Sequence, residues 1–391
     1  MKKRKLFRFA TSIMTVASCA VLLSACGGNS DKNADSSSAK VSKTSSKKVA
    51  KPVNAADEQL NTIMKHMTLK EKVGQLFLAR VPDVNAVSDL QKYHLGGYLL
   101  FGRDMVGTTT TTLKTKIQTF QQNSKIPLLI GSDEEGGTVS RLSSSQLVTP
   151  AFRSPHNLYI AGGMNSIKSD AVNKAKILHN FGIQMPMAPV ADVATDPAAF
   201  IYDRTVGLDS KGTSTYIKTA VTALQDNGVA ATLKHFPGYG NNKDSHVGIV
   251  TDTRSMKELR KVDFKPFKAG IKAGADSILV SHNIVNAIDK KQPASISKKV
   301  HKVLRKELGF DGVIITDDLD MAGLADFVPQ NKAALMAIKA GNDLVMTSHY
   351  ATQIPYIMQA IKDGDYSKKQ LNASVLRVLK MKQKLGMLSG F

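Results

Sequence analysis

The chain has 391 residues, 42% of them hydrophobic and 22% charged. Those proportions exclude a disordered protein, a collagen-like repeat and a disulfide-stapled miniprotein. The formal charge of +21 invites a nucleic-acid partner, yet Lys and Arg are scattered, Trp is absent and aromatics make up only 6%. No nucleic-acid partner is expected; attraction to anionic lipid or wall polymer accounts for the excess.

Lys2, Lys3, Arg4, Lys5 and Arg8 precede an apolar run at residues 9–23, too short and too often broken by Ser and Thr to span a membrane. Residues 1–25 therefore read as a signal peptide. The run ends in Leu23-Ser24-Ala25-Cys26-Gly27, which resembles a bacterial lipobox. That implies a lipid on Cys26 and anchoring to the cell membrane on its extracellular side. Cys19, the other cysteine, would leave with the signal, so no disulfide is expected. Residues 26–56 are rich in Ser, Lys, Ala and Asn without an aromatic, the composition of a disordered tether. Much of the positive excess sits in these two segments.

From Asp57 onward, short apolar runs alternate with stretches of helical period. The spacing predicts strands at 75–81, 97–101, 128–132, 184–190, 230–234, 277–281, 312–316 and 343–347. Helices are predicted between them at 108–122, 213–227, 256–273, 297–308 and 332–340. Eight such units, with no Pro/Gly/Ser-rich break after Ala56, predict one (β/α)8 TIM barrel over residues 57–391 rather than an open doubly wound sheet.

Six predicted strands run into polar clusters: Asp133-Glu134-Glu135, Asp192, Lys234-His235, Ser281-His282-Asn283, Asp317-Asp318 and Thr347-Ser348-His349. In a barrel those positions form the carboxyl-end mouth, where catalytic groups converge. A structural protein has no reason to collect costly polar groups at one rim, so the pattern points to an enzyme.

Asp244 and His246 stand two apart in a Gly- and Pro-containing loop, so in an extended stretch their side chains lean the same way. The carboxylate would orient the imidazole and favour its protonated form, suiting a general acid. Lys234 and His235 are expected to point into the mouth, Lys234 as a Schiff-base nucleophile or, more simply, as a donor to a hydroxylated substrate. Asp317 and Asp318 are strand neighbours facing opposite ways. Asp317 is the candidate nucleophile or metal ligand, and Asp318 the candidate helix N-cap. Asp133, close to Gly136-Gly137, offers two acceptor oxygens to sugar hydroxyls, while Arg141 and Arg204 offer forked donors.

Lys-His-Phe-Pro-Gly at 234–238, Asp-Ser-His at 244–246 and Thr-Asp-Asp at 316–318 together resemble the family 3 glycoside hydrolases, specifically their β-N-acetylglucosaminidase branch. The likeness spans 69–386 and includes Gly96-Gly97, the Asp-x-Glu-Gly-Gly segment at 133–137, Ala-Pro-Val-Ala-Asp at 188–192 and Asp-Arg-Thr at 203–205. It implies a retaining exo-glycosidase removing terminal β-linked N-acetylglucosamine, from cell-wall fragments, without metal or organic cofactor. Asp317 is then the nucleophile, His246 with Asp244 the acid/base, and Asp133, Arg141, Arg204, Lys234 and His235 hold the carbohydrate. The resemblance also implies the single-domain form, and a monomer is expected.

Four departures from the family pattern bear on substrate preference. Glu134 stands where Gln is usual, Thr138 for Arg and Tyr239 for His, and the loop at 240–244 is slightly shorter. Phosphorolysis stays open beside hydrolysis, because an imidazole repels an anionic acceptor less than a carboxylate does. A lipoprotein that binds sugar without turnover is the alternative of a different class. A metal-dependent hydrolase built on His235, Asp244, His246 and Asp317 has no recognised metal spacing to support it.

Overall fold

Seven parallel strands frame the molecule: β1 (Phe77–Arg80), β2 (Gly97–Leu100), β3 (Leu129–Ser132), β4 (Thr232–Phe236), β5 (Ser277–Val280), β6 (Val313–Asp318) and β7 (Leu344–Thr347). The computed structural model describes residues 55–390. The predicted signal peptide, Cys26 and nearly all of the tether lie outside the described residues, which form one compact unit. The strand order is β3-β2-β1-β7-β6-β5-β4, leaving β3 and β4 at the two edges.

Residues 184–191 close the gap between those edges. Gln184 N–H donates to Ile130 O at 3.0 Å and Ser132 N–H to Met185 O at 2.9 Å, tying the segment to β3. On the other side, Ala230 N–H donates to Gln184 O at 2.9 Å, and Thr232 N–H donates to Ala188 O at 2.8 Å. The (β/α)8 barrel is thus complete. The predicted strand at 184–190 is a stave without a regular ladder, because Pro186 and Pro189 have no N–H to donate. Met187 between them takes a positive φ of 47°.

Side-chain alternation along each strand builds the core and aims the site. Leu78, Leu99, Leu129, Leu279, Val313, Ile315, Leu344 and Met346 fill the barrel interior with Met185, Met187 and Ala230. Their neighbours Phe77, Tyr98, Ile130, Ile278, Ile314 and Val345 pack outward in the larger core that includes the helices. Continuing the inward series by two carries Leu78 to Arg80, Leu99 to Phe101, and Ile315 to Asp317. All three end at the same cavity.

The helices Thr110–Gln122 and Gln330–Ala340 lie where periodicity places them. Ser210–Gln225 starts a little earlier than predicted, where the Asp209 side chain accepts from Gly212 N–H. The predicted helix at 256–273 is two, Met256–Lys261 and Phe264–Lys272. Pro266 has no N–H for Val262 O, so it is accommodated in the first turn of a new helix. The helix predicted at 297–308 is α-helical only over Lys298–Lys302 and turns π-helical over Val303–Glu307. The helical stretch Pro155–Phe181, two helices meeting at a kink where Gly162 and Gly163 take non-helical angles, has no predicted counterpart.

Candidate active site

The inward strand ends open into a cavity of about 480 Å³ at the carboxyl end of the barrel. Asp133, Arg141, Arg204, Lys234, His235, Asp244, His246 and Asp317 all line it, so every predicted residue of the barrel site reaches one space.

Asp317 ends the inward series of β6. Its Oδ1 accepts from Asp318 N–H at 2.9 Å, while its buried Oδ2 has no hydrogen-bond partner among the described residues. A buried carboxylate oxygen without a protein donor is costly unless something in the cavity meets it. Asp318 also lines the cavity, contrary to strict alternation, because the β6–β7 register shifts between Ile315 and Asp318. Nor is it an N-cap. Its carboxylate accepts from Arg80 Nε at 2.6 Å and from Asp320 N–H at 3.1 Å, and the short helix Ala322–Ala325 begins without a side-chain cap. The charge-assisted contact is the stronger attraction.

His246 and Asp244 stand together in the loop after β4. Asp244 Oδ1 lies 2.6 Å from His246 Nδ1 and accepts His246 N–H at 2.9 Å, the geometry expected from their spacing. The imidazole is about half exposed at the cavity rim. With Nδ1 engaged, Nε2 is the nitrogen left for a substrate.

Beneath them lies a buried web of charge. Lys234 Nζ reaches Asp133 at 2.9 Å and Glu135 at 2.6 Å. Arg141 donates to the other Asp133 oxygen at 2.9 Å, and Arg204 grips Glu135 with two bonds of 2.9 and 2.7 Å. Burial opposes the charge on Glu135, but Arg204 and Lys234 hold its pKa down at about 2. Burial likewise opposes ionisation of Asp133, which Lys234 and Arg141 nevertheless keep well below the carboxylate range. Burial pulls Lys234 down and its two carboxylates more than reverse this, so it is a firmly charged donor rather than an amine nucleophile. The fork of Arg204 predicted to meet a ligand is engaged by Glu135.

Glu135 and Asp192 are the residues whose roles the sequence did not disclose. Asp192 Oδ2 lies 2.7 Å from His235 Nδ1, and Arg204 Nη2 lies 3.1 Å from His235 Nε2. Arginine can only donate, so Nε2 accepts and Nδ1–H donates to Asp192, which fixes the tautomer and ring plane. The signal for Asp192 was its place at a strand end. Other polar clusters predicted at the mouth stand behind it. His282 is buried between Ser295 Oγ at 2.7 Å and Asp318 O at 2.8 Å, with burial lowering its pKa. Thr347 and Ser348 instead donate to Asp320. Glu134 points away from the cavity, accepting from Ser132, Ser140 and Leu142, and burial raises its pKa.

A closed barrel with a free-oxygen carboxylate and an Asp-bound imidazole on one polar cavity has the equipment of a glycoside hydrolase. The chain belongs to glycosyl hydrolase family 3, whose N terminal domain matches residues 68–381. It is 30% identical over 386 residues to the beta-hexosaminidase LpqI of Mycobacterium tuberculosis, covering 96% of this chain and 97% of that protein. The solved M. tuberculosis LpqI superposes with a TM-score of 0.76 at 29% identity, over 83% of this chain and 96% of that one. A family 3 beta-N-acetylglucosaminidase from Paenibacillus sp. FPU-7 gives a TM-score of 0.78 at 31% identity, over 83% of this chain but 64% of that longer one.

Proposed function

We propose that the enzyme is a retaining exo-glycosidase that removes terminal β-linked N-acetylglucosamine from cell-wall fragments. The names of its relatives support the sugar. One observation carries the roles: Asp317 holds a carboxylate oxygen with no partner among the described residues, on the wall of the cavity that also holds His246. In the first step that oxygen bonds to the anomeric carbon, the glycosidic bond breaks, and the departing oxygen takes the Nε2 proton of His246. Water then returns a proton to Nε2 and attacks the same carbon, releasing the sugar and restoring the carboxylate. The imidazole adds no second negative charge beside the nucleophile.

In this reading Lys234, Arg141, Arg204 and Asp133 hold the sugar hydroxyls from the charged web below, and His235, bonded to Asp192 and Arg204, steadies Arg204 among them. A lipid on Cys26, exposed after loss of residues 1–25, holds the enzyme on the extracellular side of the membrane, and residues 26–56 give it reach. The Leu-Ser-Ala-Cys sequence at 23–26 supports this. Mass spectrometry of the Cys26 peptide tests the anchor.

The chemistry is tested with 5-fluoro N-acetylglucosaminyl fluoride, which slows breakdown of a glycosyl-enzyme. A label on Asp317 is expected, and a label on any other residue overturns the assignment. Free sugar is the expected product in phosphate buffer; a sugar phosphate overturns water as the acceptor.

A further inference from the structure

Tyr239 is 1% exposed and does not line the cavity, so it is out of reach of a bound sugar. Its N–H donates to Asp192 Oδ1 at 2.7 Å, on the carboxylate that also orients His235. Its ring meets His235 edge-on, centroids 5.2 Å apart. Its hydroxyl shares a hydrogen bond with Ser245 Oγ.

Ser245 is fully buried and sits between Asp244 and His246 in the chain. Its carbonyl accepts from Gly323 N–H at 3.2 Å, in the segment that follows β6 and Asp317. Around it the loop is open: His246 is about half exposed and Val247 is 81% exposed. The ends of the loop are held separately by Arg254, which donates to Gly238 O at 2.8 Å and pairs with Asp252 and Asp263. Those contacts set where the loop leaves and rejoins the barrel. The bond to Tyr239 acts at the dyad itself.

We infer that the hydrogen bond between Tyr239 and Ser245 is a latch that places His246 over the bound sugar, joining the sugar-holding side of the barrel to the acid/base loop. The inference rests on the acid/base reading of His246. Tyr239 is a positioning residue: it acts through Ser245 and touches no reacting atom. Burial, reinforced by the negative charge of Asp317, keeps the phenol protonated, so the latch persists across the working pH range.

Small displacements of a proton donor cost about 100-fold in rate, and the cost falls on steps that need the proton. The test uses Tyr239→Phe, Ser245→Ala, the double variant and His246→Ala on N-acetylglucosaminides of graded leaving-group acidity. For poor leaving groups, kcat/KM, which reports the first step alone, is expected to fall about 10- to 100-fold in both single variants, with a change of only a few-fold for nitrophenolates. The double variant should be no worse than the worse single, because both remove one bond. Inhibition by free N-acetylglucosamine should be unchanged, showing that the folded pocket survives. Equal losses of kcat/KM across all leaving groups, or no loss, overturn the latch. If His246→Ala shows leaving-group dependence and the latch variants do not, the latch alone fails. If His246→Ala shows none, the acid/base reading fails and the latch with it.

Discussion

Glu135 and Lys234 lie 2.6 Å apart, both buried, each offsetting the other's charge. Arg204 completes the charge balance on one side and Asp133 on the other. Removing one member of such a web strands the rest without compensation, typically at a cost of about 3–5 kcal/mol. Glu135→Gln should lose roughly that much in urea denaturation and weaken substrate binding, because Lys234 and Arg204 lose the group that aims them. The exposed pair of Arg260 and Glu307 lies at a similar 2.7 Å. Its removal should barely move the unfolding midpoint, since solvent screens it.

The same carboxylate predicts an acid limit to stability. The Glu135 pKa falls from an ordinary 4.5 to about 2 in the folded protein. Between those values the unfolded chain binds the extra proton, so the contribution is complete above pH 4.5 and is lost as pH falls through 2. The stability gap between the native enzyme and Glu135→Gln should therefore be constant from pH 7 to about pH 5 and then narrow. Denaturation curves at stepped pH measure it; a gap that widens on acidification contradicts the ion pairing.

How far the sequence disclosed this site depends on which interactions are local. Asp317 was legible because alternation is a property of one strand: Val313 and Ile315 point inward, and the next residue of that face does too. The dyad was legible because Asp244 and His246 are two residues apart. Glu135 and Asp192 were opaque because their partners Arg204 and His235 lie 69 and 43 positions away. Only the closed barrel brings these together. The Asp318 reading failed for a related reason. A helix cap is a local expectation, and it lost to Arg80, a charge 238 residues away. The stave at 184–191 was found as a strand although its prolines deny it a ladder, since its closure of the sheet depends on position between β3 and β4.

His246 and Asp244 carry separable expectations. General acid catalysis is worth about 100- to 10,000-fold, so His246→Ala should lose that much in kcat/KM on poor leaving groups and far less on nitrophenyl substrates. Asp244→Asn keeps a partner of the same shape but no charge. It should fall between the native enzyme and His246→Ala in the same assay, with KM nearly unchanged because Asp244 orients the ring without gripping the sugar. A large rise in KM with kcat preserved would instead make Asp244 a substrate-binding residue.

Lys382 offers a test far from the chemistry. It lies in the helix Lys368–Lys384, fully buried, with its Nζ donating to Gln75 Oε1 at 2.7 Å and no carboxylate in the hydrogen-bonded contact. Burial lowers its pKa from 10.5 to about 7. Between those values the unfolded chain binds more protons than the folded one, so this residue makes stability rise as pH rises from 7 to 10.5. Methionine fills a similar volume without an ammonium to desolvate, although Gln75 loses a donor worth about 1 kcal/mol. Lys382→Met should therefore be more stable than the native enzyme by roughly 3 kcal/mol at pH 7. The advantage should shrink steadily as pH approaches 10.5, above which the lysine becomes neutral in the unfolded chain as it already is in the folded one. Activity should not change, because Lys382 does not line the cavity. Unfolding midpoints at pH 7, 8.5 and 10 measure the trend; an advantage that grows with pH would mean that the buried amine is stabilised as a cation by a partner other than Gln75.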